Sequence, residues 1–171
     1  MIATPPLRRR PAPACAAACT ALLLAGAVAP GDAFAGLGGA SMPTPAGASV
    51  ADLGPASAAA QPGAGAPRYT VRETTLASGT VVREFLTRDA VVFGVAWRGP
   101  RMPDLAALLG GHFAQYASTV GENRRSGKAR GQGVVESEAL VVHSGGHMGA
   151  FFGNAWLPQA LPAGVTAADI Q

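Results

Sequence analysis

The stretch from Tyr69 to Tyr116 constrains the fold most strongly, because three strand-like runs in it lead directly into a helix-like run. The runs Tyr69–Leu76, Thr80–Leu86 and Val91–Arg98 are rich in β-branched and aromatic residues, which suit a pleated, half-buried surface. A short loop that ends in glycine separates the first two runs, and this pattern predicts an antiparallel hairpin. We therefore expect three consecutive strands of one antiparallel sheet.

The run Val91–Arg98 alternates with a period of two, so its side chains are expected on opposite faces of the sheet. The predicted core face carries Val91, Phe93, Val95 and Trp97. The other face carries Val92, Gly94, Ala96 and Arg98. Because most of this second set is small, we expect another element to approach that face closely.

A helix is predicted from Pro103-Asp104 onward, because proline and a carboxylate both favour the first helical turn. Apolar and aromatic side chains then recur at spacings of three and four residues. They are Leu105, Leu108, Leu109, His112, Phe113 and Tyr116. This stripe predicts an amphipathic helix that packs on the sheet and ends near Ser118.

The rest of the chain completes a single α+β domain over residues 68–171. Thr119–Gly131 is typical of a polar loop, Gly133–His143 and Met148–Trp156 are predicted strands, and the tail Leu157–Gln171 is expected to be extended. The prediction is an antiparallel sheet of about five strands, in the chain order strand-strand-strand-helix-strand-strand, with one helix packed on a face.

Residues 1–35 have the three-part layout of a secretory signal peptide. Arg8-Arg9-Arg10 is the basic part, residues 16–28 are the apolar part, and Ala33-Phe34-Ala35 is a small-x-small cleavage signal. The apolar part is too short to span about 30 Å of hydrocarbon, which disfavours a membrane anchor. We expect cleavage after Ala35, a periplasmic or secreted protein, and no stable membrane span afterwards.

Residues 36–67 are rich in alanine, glycine and proline, and Asp52 carries their single charge. This composition is typical of a disordered tether. The alternative is that residues 36–39 or residues 50–53 dock onto the domain as a short segment.

Charge and cysteine content exclude several functions once the signal is removed. The remaining chain has 10 basic and 9 acidic residues, which gives no electrostatic case for nucleic acid binding. Cys15 and Cys19 leave with the signal, so neither a thiol enzyme nor a disulfide is expected. Arg124, Arg125, Lys128 and Arg130 form a basic loop, for which a solvated loop is favoured over contact with an anionic surface such as phosphate or an acidic polysaccharide.

Two motifs resemble a known family. They are Gly79-Thr80-Val81-Val82-Arg83-Glu84 and the pattern Trp-x-Gly-Pro-x-x-Pro-Asp-Leu that begins at Trp97. The chain is similar over residues 36–171 to the bacterial exported family catalogued as domain of unknown function 2844. The resemblance implies a small exported protein without an established activity, and it brings no catalytic residue and no cofactor.

Catalytic and metal-binding patterns are weak. His143 and His147 flank two glycines, which predicts a turn between them, and a zinc site needs at least one further ligand. No serine lies in a Gly-x-Ser-x-Gly elbow, and no glycine-rich loop carries the lysine that a phosphate site requires. A small hydrolase or a metal protein that uses the two histidines is therefore the alternative function.

The candidate binding residues lie within the two motifs. They are Arg83, Glu84, Trp97, Arg98, Arg101 and Asp104. An aromatic ring and guanidinium groups on a rigid turn are typical of interfaces. The alternative is a structural role for these residues. Asp104 would then stabilise the start of the helix and pair with an arginine, and Trp97 would belong to the core. The leading hypothesis is a non-enzymatic envelope protein that binds a protein or a glycan, with its oligomeric state open.

Overall fold

The computed structural model describes residues 36–56, 69–127 and 133–171, all of which belong to one compact unit. They form a seven-stranded antiparallel sheet and two helices. The strands are β1 (Ser49–Ala56), β2 (Tyr69–Thr75), β3 (Val81–Leu86), β4 (Val92–Gly99), β5 (Gly133–Glu136), β6 (Val141–His147) and β7 (Ala150–Trp156). The helices are α1 (Leu105–Leu109) and α2 (Phe113–Arg125). The predicted α+β class and the antiparallel sheet are confirmed.

The strand order is β1-β2-β3-β4-β7-β6-β5. Strands β1 to β4 follow one another, the helices cross one face of the sheet, and the chain re-enters at the far edge as β5. Strands β6 and β7 then return toward the centre, where β7 pairs with β4. This arrangement brings the two halves of the chain together at the β4–β7 pair.

The predicted number of strands was too low for two reasons. Strand β1 arises from residues interpreted as tether, and it pairs with β2 as an edge strand. The predicted strand Gly133–His143 is divided by a turn, in which the Ser137 hydroxyl accepts from the Leu140 N–H and donates to the Leu140 carbonyl, both at 3.0 Å. Such a side-chain-closed turn competes with the strand ladder, and β-branched composition alone does not reveal it.

The tether interpretation needs correction over residues 36–56. Leu37 is 2% exposed, and its N–H donates to the Leu108 carbonyl at 2.9 Å. Gly38 and Gly39 exchange backbone hydrogen bonds with Val92, the first residue of β4. Residues 36–48, which we call the strap, therefore dock on the domain, and β1 follows them. Residues 57–67 of the predicted tether lie outside the described residues.

The predicted helix is interrupted and longer than expected. Asp104 caps α1 by accepting from the backbone N–H groups of Ala106 and Ala107. Gly110 then adopts φ +52°, and a single 3₁₀ turn separates α1 from α2. Helix α2 ends at Arg125, well past Ser118, inside the stretch expected to be a loop. The break occurs where glycine tolerates a backbone conformation that other residues avoid.

Each face of the sheet has its own hydrophobic core. The helix face packs against α1, α2 and the strap, and its core includes Leu37, Val82, Val95, Trp97, Leu108 and Val142. The tail face packs against the C-terminal tail, residues 157–171, and its core includes Tyr69, Phe85, Phe93, Trp156, Val165 and Ile170. The tail contains two short 3₁₀ turns, Pro158–Ala160 and Ala167–Asp169, so it is only partly extended as predicted.

A β-bulge in β4 changes the predicted faces of this strand. Phe85 pairs with Gly94 and Leu86 pairs with Val92, which leaves Phe93 as an extra residue. Phe93 therefore lies in the tail-face core, whereas Val95 and Trp97 lie in the helix-face core. The prediction that Phe93 shares a face with Val95 and Trp97 was wrong, because a bulge shifts the alternation by one residue.

Candidate functional site

An open groove of about 950 Å³ lies on the tail face, beside the region that the tail covers. We call it the tail-face groove. One row of side chains crosses it, in which each residue is the direct cross-strand partner of the next. This row consists of Glu73, Arg83, Ala96, Asn154, His143 and Val134, on β2, β3, β4, β7, β6 and β5. With strands about 4.8 Å apart, the row is roughly 24 Å long.

The neighbouring row supplies an apolar platform. Arg98 pairs with Val81 on one side and with Phe152 on the other, and Phe152 pairs with Gly145. Phe152 is 53% exposed, which is unusual for a residue with a large aromatic ring. Phe152 therefore offers the groove an uncovered ring.

The groove continues past this row into a second cleft of about 430 Å³. Arg98 and Phe152 line both cavities. The second cleft is completed by the turn at Gly99-Pro100 and by residues 149–151. Together the two cavities form an elongated surface with Arg98 and Phe152 at their junction.

Most charges in the groove are compensated. Arg83 Nε donates to Glu73 Oε2 at 2.8 Å, and a second nitrogen of Arg83 donates to the Gln171 carbonyl at 3.1 Å. His143 Nε2 lies 3.2 Å from Glu136 Oε1. The imidazole ring of His143 lies edge-on to the Trp156 ring, with 5.4 Å between the ring centroids. These contacts fix side chains that would otherwise move freely at the surface.

The tail fastens one wall of the groove. Asn154 Nδ2 donates to the Ile170 carbonyl at 3.0 Å, and Ile170 is fully buried. Gly94 makes this approach possible, because a Cβ at that position would lie 2.9 Å from the Ile170 side chain. The small face of β4 is therefore approached closely by another element, as the sequence predicted, and that element is the tail.

A family model described as "Protein of unknown function (DUF2844)" matches residues 33–170. The chain belongs to this family. The match covers the strap, the whole sheet and nearly all of the tail, so the tail-face groove lies within the family region. No curated protein and no solved structure matches the chain.

The fold of this family member separates the predicted binding residues. Arg83 and Arg98 line the tail-face groove, and Trp97 borders it although it is 2% exposed and packs in the helix-face core. Arg101 lies on the turn after β4, where its backbone N–H and carbonyl both bond to the Thr80 hydroxyl. Asp104 serves as the cap of α1. The ion pairs among the described residues do not include the arginine partner proposed for Asp104.

Glu84 lies on the opposite face from Arg83 and is fully buried beneath the strap. Its Oε1 accepts from the Met42 N–H at 2.7 Å. Burial raises the pKa of Glu84, and the Met42 N–H, the nearby Ser41 hydroxyl and the charge of Arg72 oppose this rise. Neither Oε2 of Glu84 nor the Ser41 oxygen has a hydrogen bond of good geometry. Glu84 is therefore placed to hold the strap rather than to meet a ligand.

The described residues provide no catalytic arrangement around the histidines. His143 and His147 both lie on β6, so their Cα atoms are about 13 Å apart, too far for one metal ion. No cluster of three potential metal ligands occurs in the described ranges. The Ser144 hydroxyl bonds to Tyr116 on the helix face, away from His143. The arrangement of the described residues therefore does not favour the hydrolase or the metal-protein alternative.

The carboxylates of the groove are also poorly placed for glycoside hydrolysis. Glu73 and Glu136 lie on β2 and β5, five strand intervals apart, or on the order of 24 Å. The two carboxyl groups of a glycosidase lie about 5 to 10 Å apart. The arrangement is therefore suited to holding a ligand rather than to cleaving a glycosidic bond between these two groups.

Within residues 36–56, 69–127 and 133–171, no helix has the length and hydropathy required to cross a membrane. The predicted signal peptide lies outside these residues.

Several residues of the groove were not predicted from the sequence as site residues. Phe152 and Asn154 were assigned only to a returning strand, and the role of Gln171 depends on the path of the tail. Alternation along β7 places Phe152, Asn154 and Trp156 on one face, which is a usable signal. It becomes informative only when β7 is known to pair with β4.

Proposed function

We propose that this protein is an exported, non-enzymatic binding module of the cell envelope, and that its ligand is a linear saccharide lying along the tail-face groove. The observation that carries the proposal is the groove itself, which is elongated, open and lined by an exposed aromatic ring among polar side chains. Binding sites of this kind combine apolar surface with a few fixed hydrogen-bonding groups.

The chemistry of the groove favours a saccharide over a peptide strand. The backbone groups of the central strands are already paired within the sheet, so recognition on this face depends on side chains. Sugar hydroxyl groups both donate and accept hydrogen bonds, which matches donors such as Arg98 and acceptors such as Glu136. The apolar side of a sugar ring fits against the exposed face of Phe152.

Export is part of the proposal and is supported by the layout of residues 1–35. The proposed cleavage after Ala35 is compatible with the packing of the residues that follow it, since Leu37 is buried and the Gly36 N–H donates to the Ala40 carbonyl at 2.7 Å. A mature chain that starts at Gly36 retains the whole strap. N-terminal sequencing of the protein recovered from cells tests this, and a start within the strap or an unprocessed Met1 contradicts it.

Replacing Phe152 tests the binding role. In titration calorimetry with linear oligosaccharides from cell-wall glycan and from acidic polysaccharide, Phe152→Ala is expected to weaken binding by about tenfold or more, because the stacking surface is lost. Leu53→Ala is the matched control, since Leu53 is 56% exposed on edge strand β1 and lies outside the groove. Equal binding by wild type and Phe152→Ala, or no binding to any of these saccharides, contradicts the proposal.

A further inference from the structure

We infer that the saccharide bound in the tail-face groove carries a carboxylate, and that Arg98 is the residue that receives it. This inference rests on the proposed function and adds to it the chemical class of the ligand, a linear acidic saccharide. Arg98 lines both the groove and the adjoining cleft.

The charge arrangement distinguishes Arg98 from the other basic side chains of the groove. Arg83 is held by Glu73 at 2.8 Å, and His143 is held by Glu136 at 3.2 Å. Arg98 is exposed, and no carboxylate of the described residues lies within ion-pair distance of it. Among the charged groups that line the described groove, it is therefore the one whose guanidinium is available to an anion from solution.

The position of Arg98 defines what kind of anion fits. It is the direct cross-strand partner of Phe152, so the two side chains leave neighbouring strands at the same level on one face of the sheet. A sugar unit that places its ring on Phe152 brings a carboxylate attached to that ring toward Arg98. Guanidinium groups bind carboxylates through two parallel hydrogen bonds, which fixes orientation as well as adding affinity.

The junction of the two cavities indicates a chain rather than a single sugar. Because Arg98 and Phe152 line both the groove and the second cleft, a ligand centred on them extends in two directions. An acidic peptide also carries carboxylates, but the face of a paired sheet offers it few backbone partners. The acidic saccharide is therefore the occupant that this surface fits, and an acidic peptide is an outcome of the test.

The test compares two forms of one sugar chain. Linear oligogalacturonate carries a carboxylate on each unit, and its methyl ester has the same backbone without charge. Each is titrated into the full-length wild-type protein and into Arg98→Gln, Arg98→Lys and Arg101→Gln. Arg101 is the matched control, because it is exposed on the adjacent turn and lines neither cavity.

For the wild type, we expect the free acid to bind about tenfold more tightly than the ester, as one charged pair joined by two parallel hydrogen bonds contributes. The preference should decrease as salt is raised. Arg98→Gln should remove the preference while ester binding persists, Arg98→Lys should retain part of it, and Arg101→Gln should behave as wild type.

The possible outcomes distinguish a failure of the carboxylate assignment from a failure of the proposed saccharide-binding function. Equal binding of acid and ester by the wild type overturns the carboxylate subsite and leaves a saccharide-binding groove. A preference that survives in Arg98→Gln, or that disappears in Arg101→Gln, overturns the assignment to Arg98. Binding of neither form, or binding of poly-glutamate in preference to both, overturns the inference and the proposed saccharide ligand together.

Discussion

Gly153 allows the Trp97 indole to lie directly on strand β7. A Cβ at residue 153 would lie about 2.7 Å from Cε2 of Trp97 and 2.6 Å from the His143 carbonyl oxygen. Both neighbours are held, one in the helix-face core and the other in the β6 backbone. The close approach of β7 to Trp97 therefore depends on the absence of a side chain at this position.

Gly153→Ala is expected to lower the free energy of unfolding by about 1–3 kcal/mol, because the added methyl group overpacks a site that cannot relax. Denaturant-induced unfolding measures the effect. Gly121→Ala is the control within α2, where the added Cβ meets only the end of Arg125 at 3.7 Å. It should raise stability by up to about 1 kcal/mol through helix propensity. A neutral Gly153→Ala would contradict the packing described for Trp97.

Glu84 makes stability depend on pH. Because burial raises its pKa, the wild type is most stable with this carboxyl protonated and loses stability as pH rises through the raised pKa. Glu84→Gln keeps an acceptor for the Met42 N–H but does not titrate. The variant should match the wild type in acid and exceed it above the raised pKa, by about 1.4 kcal/mol for each unit of elevation.

Urea unfolding at a series of pH values measures this difference. Glu122→Gln, at an exposed position on α2, is the control for the same carboxyl-to-amide change made outside the core. A wild-type stability that rises with pH relative to Glu84→Gln would mean that the buried carboxylate is stabilised rather than destabilised in its charged form.

At the scale of elements, the strap and the tail close opposite faces of the sheet. The strap is docked by Leu37 and by the hydrogen bond between Met42 and Glu84, whereas the tail is docked by Ile170 against Gly94. Both segments are short and rich in small residues, so their own sequences predict little. The strap and the tail are ordered by contacts with residues that are distant from them along the chain.

Leu37→Ala tests whether the strap is part of the core. It should lower the free energy of unfolding by about 2–5 kcal/mol, because a buried leucine leaves a cavity. Leu53→Ala, at an exposed site on β1, should change stability by less than about 0.5 kcal/mol. Equal, small effects of both substitutions in thermal and chemical unfolding would restore the tether interpretation for residues 36–48.

The elements differ in how far the sequence predicts them. The hairpin of β2 and β3 follows from local composition and a glycine turn, and Asp104 marks the start of α1 correctly. The bulge at Phe93 leaves no local signal, since it depends on the register between β3 and β4. The groove requires the β4–β7 pairing, which joins residues far apart in sequence. Arg83 and Arg98 could therefore be proposed individually, but their common surface with Phe152 could not.

At the scale of the whole molecule, the two faces of the sheet differ in how they are covered. The helix face is covered by α1, α2 and the strap, and the tail covers only part of the other face. The uncovered part crosses the sheet from β2 to β5 and contains the exposed ring of Phe152. An antiparallel sheet tolerates water on such a face, so the remaining surface is available for a ligand.

Amide chemical-shift mapping tests most directly whether the saccharide lies along this surface. When isotopically labelled full-length protein is titrated with linear oligogalacturonate, shifts are expected along β3, β4, β7 and β6, with the largest changes around Arg98, Phe152 and Asn154. Shifts confined to the helix face or to the basic end of α2 at Arg124 and Arg125, or no shifts at saturating ligand, would contradict the assignment of the tail-face groove as the binding site.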